Sequence, residues 1–136
     1  MRAMIYIDAN IFIYSVLDKG DKGKMCKKIL TDVALQRLEG CTSPLTWDEV
    51  VYTLKKHAPI DEVISQSKEF LKFPNLNFLS TNEQVLNEAN ELWIKHGLKP
   101  RDAIHAATAI LNNCKEIISD DSDFDKIREL KRIKIK

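Results

Sequence analysis

Along the chain, short apolar runs alternate with longer segments in which apolar residues return every three or four positions. Residues 3–7 read as a buried strand, with 4–7 as its core, that stops at Asp8. A helix follows, opening around Asn10 and capped by Asp8 or Asn10. Over 24–39 the set Met25, Cys26, Ile29, Leu30, Val33, Ala34 and Leu38 marks one face of an amphipathic helix, and Gly40 is expected to stop it. Residues 41–43 form a brief strand. Thr46-Trp47-Asp48-Glu49 then has the form of a capping box, Glu49 accepting the Thr46 backbone N–H, ahead of a helix carrying Val50, Val51 and Leu54 that Pro59 ends.

The rhythm continues to the C-terminus. Residues 61–73 place Val63, Ile64, Ser67, Phe70 and Leu71 on one helical face, Pro74-Asn75 breaks the helix, and 76–79 read as a strand. Thr81 or Asn82 caps a helix bearing Val85, Leu86, Ala89, Leu92 and Trp93, which Gly97 closes. Pro100 opens the next helix, which over 103–111 is apolar on nearly every side and so is expected to be buried all round. Residues 116–119 form a fourth strand, 123–130 a short helix, and 132–136 alternate like an edge strand. Strands alternating with helices imply right-handed β-α-β crossovers. The expected fold is one three-layer α/β/α domain over residues 1–136, with a mainly parallel central sheet of four to five strands.

Composition narrows the function. At 136 residues, 44% hydrophobic and 30% charged, the chain suits a single domain with a real core, and four glycines and four prolines leave no linker. The apolar start of the chain is shorter than a signal peptide, and no apolar run approaches the roughly 20 residues of a membrane span. A cytoplasmic protein with no membrane partner is the expectation. Three cysteines, odd in number and without CxxC spacing, argue against a disulfide framework or a zinc site and read as buried, reduced thiols. A net charge of +1 lacks the broad basic excess of proteins that grip long nucleic acid. Two local clusters, Lys19, Lys22, Lys24, Lys27 and Lys28, and Lys126, Arg128, Lys131, Arg132, Lys134 and Lys136, read equally well as solvated faces or as phosphate contacts.

Ligands of parallel sheets bind beyond the carboxyl ends of the strands. Asp8 follows the first strand, Glu49 begins the helix after the second, Asp102 begins the helix leading to the fourth, and Asp120, Asp121 and Asp123 follow the fourth. Singly, an acid in a first helical turn is favoured by the helix dipole by about 0.3–1 kcal/mol with no function attached. Capping does not account for acids placed directly after two apolar strands. Carboxylates that converge repel one another, and are retained to hold a hard cation such as Mg²⁺ or Mn²⁺, which serves phosphodiester hydrolysis.

Four segments in order carry a more specific signal: the first strand running into Asp8-Ala9-Asn10, Ser43-Pro44-Leu45-Thr46 leading to Glu49, Arg101-Asp102-Ala103-Ile104-His105-Ala106-Ala107, and Ser119-Asp120-Asp121-Ser122-Asp123-Phe124. Together they resemble the PIN-domain nucleases, and most closely the VapC-type toxins of prokaryotic toxin–antitoxin pairs, over almost the whole chain. The resemblance implies a PIN-like fold and a Mg²⁺- or Mn²⁺-dependent endoribonuclease acting on single-stranded or structured RNA. It implies Asp8, Glu49, Asp102 and Asp121 as catalytic and metal-binding acids, Asn10 and Ser119 as supporting polar groups, and Asp123 as a fifth acid. Where the family usually has Thr-x-Asp this chain has Ser119-Asp120-Asp121, and the register of the Asp123-Phe124 pair selects Asp121. A homodimer neutralised by a small antitoxin is also implied, with helices containing Phe12, Tyr14 or Trp47 as contact surfaces.

Other side chains admit two readings. Arg101 contacts substrate phosphate or pairs with a carboxylate, and Lys19 and Lys22 are weaker substrate contacts. His105, one turn after Asp102, either reaches the site or is a packed, hydrogen-bonded histidine, the second being favoured. Trp47 and Trp93 read as core or interface. The rival functions are a PIN-like RNA-processing nuclease, an inactive RNA-binding module and a Mg²⁺-dependent phospho-acceptor signalling domain. The last is disfavoured because 76–80 end without an acid, and the complete acidic set argues against an inactive module.

Overall fold

The computed structural model describes residues 3–135. Five short strands, β1 (Ile5–Ile7), β2 (Gly40–Thr42), β3 (Asn77–Phe78), β4 (Glu116–Ile118) and β5 (Lys131–Ile133), form one sheet in the order β3-β2-β1-β4-β5, every neighbouring pair parallel. Helices α1 (Ala9–Leu17), α2 (Asp21–Ala34), α3 (Pro44–His57) and α4 (Ile60–Leu71) share a core with Ile7 and Ile118. Helices α5 (Glu83–His96) and α6 (Pro100–Leu111) share another with Tyr6, Cys41 and Ile117. Successive strand residues point to opposite faces, so these two cores lie on the two sides of the sheet, and the three-layer α/β/α architecture follows. Strand β1 sits between β2 and β4, and the chain reaches these two neighbours from opposite directions. The crevice beyond the carboxyl ends of β1 and β4 is therefore the topological switch point, where such sheets bind ligands.

Several local expectations are corrected. The second helix runs over Asp21–Ala34 rather than 24–39, and Gly40 is a buried strand residue rather than a helix stop. A Cβ on Gly40 would lie 2.8 Å from Val33 Cγ2 and 2.9 Å from Ile7 Cδ1, so the close approach of α2 to β1 requires the glycine. Helix α3 starts at Pro44 with Ser43 as N-cap, because proline is preorganised for the first helical position. The Thr46 N–H therefore bonds the Ser43 carbonyl at 3.0 Å, and Thr46 and Glu49 form no capping box. The fourth helix spans Ile60–Leu71 instead of 61–73. Residues 123–130 hold only a 3-10 turn, Ser122–Lys126, and the last strand is Lys131–Ile133, with Lys136 outside the described residues. Asn82 and not Thr81 caps α5, its side chain accepting the Val85 N–H, and Gly97 ends that helix at φ 71°. Trp47 and Trp93 are 41% and 49% exposed, not core, whereas Phe12 is buried. Among the described residues no helix is long and apolar enough to cross a membrane.

Gly40→Ala is expected to lower unfolding stability by about 1–3 kcal/mol through overpacking between Val33 and Ile7, read from urea denaturation. An unchanged midpoint would mean that α2 moves away from the sheet freely.

Candidate active site

Asp8 follows β1 directly and caps α1, and both of its carboxylate oxygens are engaged. Oδ1 accepts the Ala9 N–H at 2.8 Å, and Oδ2 accepts the Ser119 hydroxyl at 2.6 Å and the Asn10 amide at 3.3 Å. Ser119, fully buried after β4, in turn accepts the Asp121 N–H at 2.9 Å and the Asn10 amide at 3.3 Å. The β1–β4 register, Ile7 opposite Ile118, is what brings these strand ends side by side. Burial raises the Asp8 pKa above the usual carboxylate range, partly offset by His105 and by the Ser119 and Ala9 hydrogen bonds.

Beside Asp8 stands a second group. His105 is fully buried on α6. Its Nε2 is hydrogen-bonded to Glu49 Oε1 and lies 3.7 Å from Asp8 Oδ1, and its Nδ1 lies 2.7 Å from the Tyr6 hydroxyl. That hydroxyl is also 2.7 Å from Ser43 Oγ. Burial works to lower the His105 pKa, but the Glu49 hydrogen bond and the charges of Asp8, Glu49 and Asp102 outweigh it, so the net shift is upward. Glu49 lies in the second turn of α3, half-buried, with a histidine as partner rather than a helix end.

The third group is Asp102, Asp121 and Asp123, all half-buried, with one carboxylate oxygen of each within 4.8 Å of the others. Asp121 accepts the Asp123 N–H at 2.9 Å. The neighbouring Asp120 turns away, accepting Lys22 Nζ and the Tyr14 hydroxyl, each at 3.0 Å. Asp102 Oδ2 is buried and has no hydrogen-bond partner among the described residues. Burial, then the charges of Asp121 and Asp8, push the Asp102 pKa up to about 7. Exposed Lys126, 3.6 Å from Asp123, is the cationic side chain beside this group, and it leaves Asp102 Oδ2 without a partner. Three carboxylates with one orphaned oxygen suit a hard divalent cation, for which oxygen ligands are preferred.

The family described as PIN domain matches residues 5–130. This chain belongs to the PIN domain family. Ribonuclease VapC2 of Methanocaldococcus jannaschii is 27% identical over 143 residues, 96% of this chain and 93% of that protein. Ribonuclease VapC6 of the same organism is 25% identical over 151 residues, 96% of each. Among solved structures, VapBC2 from Rickettsia felis bound to a DNA fragment from their promoter superposes with a TM-score of 0.76 at 19% identity, covering 98% of this chain and 99% of that one. A toxin-antitoxin complex from Klebsiella pneumoniae gives 0.67 at 23% identity, covering 93% and 94%. Likenesses at these identities speak for the fold.

In this PIN domain Asp8, Asn10, Glu49, Asp102, Ser119, Asp121 and Asp123 gather at one sheet edge, together with His105. The packed reading of His105 and the reading that takes it to the site describe one geometry. Tyr6 was not singled out in the sequence, and Ser43 stood there only as the start of the segment leading to Glu49. The signal for Tyr6 was a phenol inside an otherwise aliphatic strand, where a buried hydroxyl needs a partner. Arg101 and Lys19 are exposed. Arg101 lies 4.0 Å from exposed Asp48, and exposed Lys22 is paired with Asp120. Arg132 is committed elsewhere, donating to both oxygens of Asp125 at 3.0 Å and to the Ser119 carbonyl at 3.2 Å.

The Asp102 shift gives a pH prediction. Its folded pKa, about 7, lies above the ordinary aspartate value of 3.8, so between these values the folded chain binds more protons than the unfolded one. This group's contribution is complete below the lower value and is lost as pH rises to about 7. In chelator, Asp102→Asn is expected to flatten that decline and to raise the thermal midpoint at pH 8 by several degrees. Parallel stability–pH curves for the two proteins would contradict the assignment.

Proposed function

We propose that this chain is a metal-dependent endoribonuclease and the toxin of a toxin–antitoxin pair, working in the cytoplasm as one nuclease domain over residues 1–136. The observation that carries the reading is the orphaned Asp102 Oδ2 within a group of three carboxylates at the ligand-binding edge of a PIN fold. Ribonuclease VapC2 and the toxin–antitoxin structures support the choice of RNA as substrate and of a small antitoxin as partner. Asp102 and Asp121, with Asp123 beside them, would hold Mg²⁺ or Mn²⁺, and Asp8 and Glu49 complete the acidic centre. When bound, the cation supplies Lewis acidity at phosphate oxygens and makes water a better nucleophile.

The chain's own residues set the positions. Ser119, Asn10 and the Ala9 N–H lock the Asp8 carboxylate, so it needs no reorganisation when substrate arrives. His105 holds Glu49 Oε1, which leaves Oε2 as the acceptor for a proton from attacking water. Arg101 gives up little on leaving Asp48 for a substrate phosphate, because exposed ion pairs contribute only about 0–1 kcal/mol. Lys19 and Lys22 are the outer phosphate contacts. A homodimer forms through exposed helix faces such as the one bearing Trp47. Phe12 is too buried to serve, and Tyr14 is half-buried against Asp120.

Purified full-length protein should cut single-stranded RNA internally with Mg²⁺ or Mn²⁺ and stop in excess chelator. Cleavage that survives chelator would overturn the metal-dependent reading. Asp8→Asn and Glu49→Gln should each cut turnover by orders of magnitude. Glu49→Gln keeps an oxygen to accept from His105 and should leave the thermal midpoint in chelator nearly level, whereas Asp8→Asn sets an NH2 against the Ala9 N–H or the Ser119 hydroxyl and should lower it. Near-wild-type cleavage by Glu49→Gln at limiting Mg²⁺ would remove Glu49 from the centre.

A further inference from the structure

Away from the acidic edge the fold places two thiols together. Cys41 in β2 and Cys114, which follows α6 and precedes β4, are both buried in the core shared with α5 and α6, and their sulfurs lie 3.4 Å apart. Cys26 belongs to the core on the other face of the sheet and cannot join them. All three are free thiols in this structure. No other metal-ligating side chain gathers around the pair among the described residues, which leaves it short of the ligands a zinc ion requires. A disulfide bond is about 2.05 Å long, so the two sulfurs need to close by about 1.4 Å.

We propose that Cys41 and Cys114 are a dithiol that a peroxide oxidises to an internal disulfide, tying β2 to the segment between α6 and β4. The mutual hydrogen bond of the pair lowers the pKa of the Cys114 thiol and, together with burial, raises that of Cys41. Cys114 is accordingly the attacking sulfur. Its thiol gives up its proton, the thiolate attacks one peroxide oxygen, the O–O bond breaks, and the departing hydroxide takes up that proton and leaves as water, giving a sulfenic acid. The Cys41 sulfur then attacks the Cys114 sulfur. The S–S bond forms as the S–O bond breaks, and the departing hydroxide takes the Cys41 proton. Two thiols and one peroxide become one disulfide and two waters, with two electrons passing from sulfur to oxygen.

The link joins the two arms of the acidic edge. Strand β2 runs on into Ser43 and the helix bearing Glu49, while α6 carries Asp102 and His105 and ends shortly before Cys114. The cysteines are 73 positions apart, so the bond closes a loop of more than half the chain and constrains the unfolded state strongly. Oxidation should therefore stabilise the protein.

The test uses the full chain, treated with stoichiometric hydrogen peroxide, then unfolded in an alkylating agent and mapped by peptide mass. The expected result is alkylation at Cys26 alone, a Cys41–Cys114 linked peptide, and a thermal midpoint raised by about 10 °C. A dithiol reductant should reverse both changes. Cys26→Ser should keep them, and Cys114→Ala should abolish them. Because the wild-type map needs no variant, a Cys114→Ala chain that fails to fold leaves the test intact. Alkylation of all three cysteines after peroxide, a link through Cys26, or peroxidation of Cys114 beyond the sulfenic acid without a link would overturn the proposal. None of these readouts depends on RNA cleavage.

Discussion

The carboxylate of Asp8 sits where a buried charge is costly, and the chain around it is arranged to meet that cost. One oxygen takes the first amide of α1 and the other takes the hydroxyl that ends β4, so a single side chain caps a helix and staples two neighbouring strands. The staple exists only in one register, with Ile7 opposite Ile118. A slip of one residue would turn Ile7 and Ile118 to the wrong core and pull Ser119 out of reach of Asp8. Ser119 then passes the order on, since its oxygen receives the Asp121 amide and so sets where the second acidic group begins. Asn10 closes the circuit by bonding Asp8 and Ser119 with its amide nitrogen and the Asp120 N–H with its oxygen.

Charge is balanced unevenly along this edge. Asp8 and Glu49 face a buried imidazole whose proton affinity they raise, so that group has its own donor. Asp102, Asp121 and Asp123 have only exposed Lys126, 3.6 Å from Asp123, and the imbalance appears as the raised Asp102 pKa and its partnerless oxygen. Such a group reduces the stability of the folded chain at neutral pH. An unsatisfied buried acid is retained where something other than folding requires it.

Much of this was legible from periodicity. The alternation of short apolar runs with amphipathic segments marked the five strands and the six α-helices but also a helix over 123–130 that is only a 3-10 turn, and acids placed directly after apolar strands pointed to the edge. What misled was local grammar that a stronger signal overrides. Thr46-x-x-Glu49 reads as a helix start, but Ser43-Pro44 begins the helix earlier and leaves Glu49 a turn further in, facing His105. Gly40 reads as a helix stop, yet the crowding of Val33 and Ile7 explains the missing side chain. The Tyr6 partners were beyond any local pattern, because Ser43 and His105 are 37 and 99 residues away.

Tyr6 also explains why Glu49 is held firmly whatever the charge on His105. If the imidazole is neutral, the Tyr6 hydroxyl donates to Nδ1 and accepts from Ser43, which fixes the tautomer with its proton on Nε2. If the imidazole is cationic, Nδ1–H donates to Tyr6, which donates onward to Ser43, and Nε2 still carries a proton. The remaining neutral tautomer would set a bare nitrogen against a carboxylate and is excluded by repulsion. In both allowed states Nε2–H donates to Glu49. A single phenol in the first strand thus makes the orientation of an acid on α3 independent of the titration of the histidine between them.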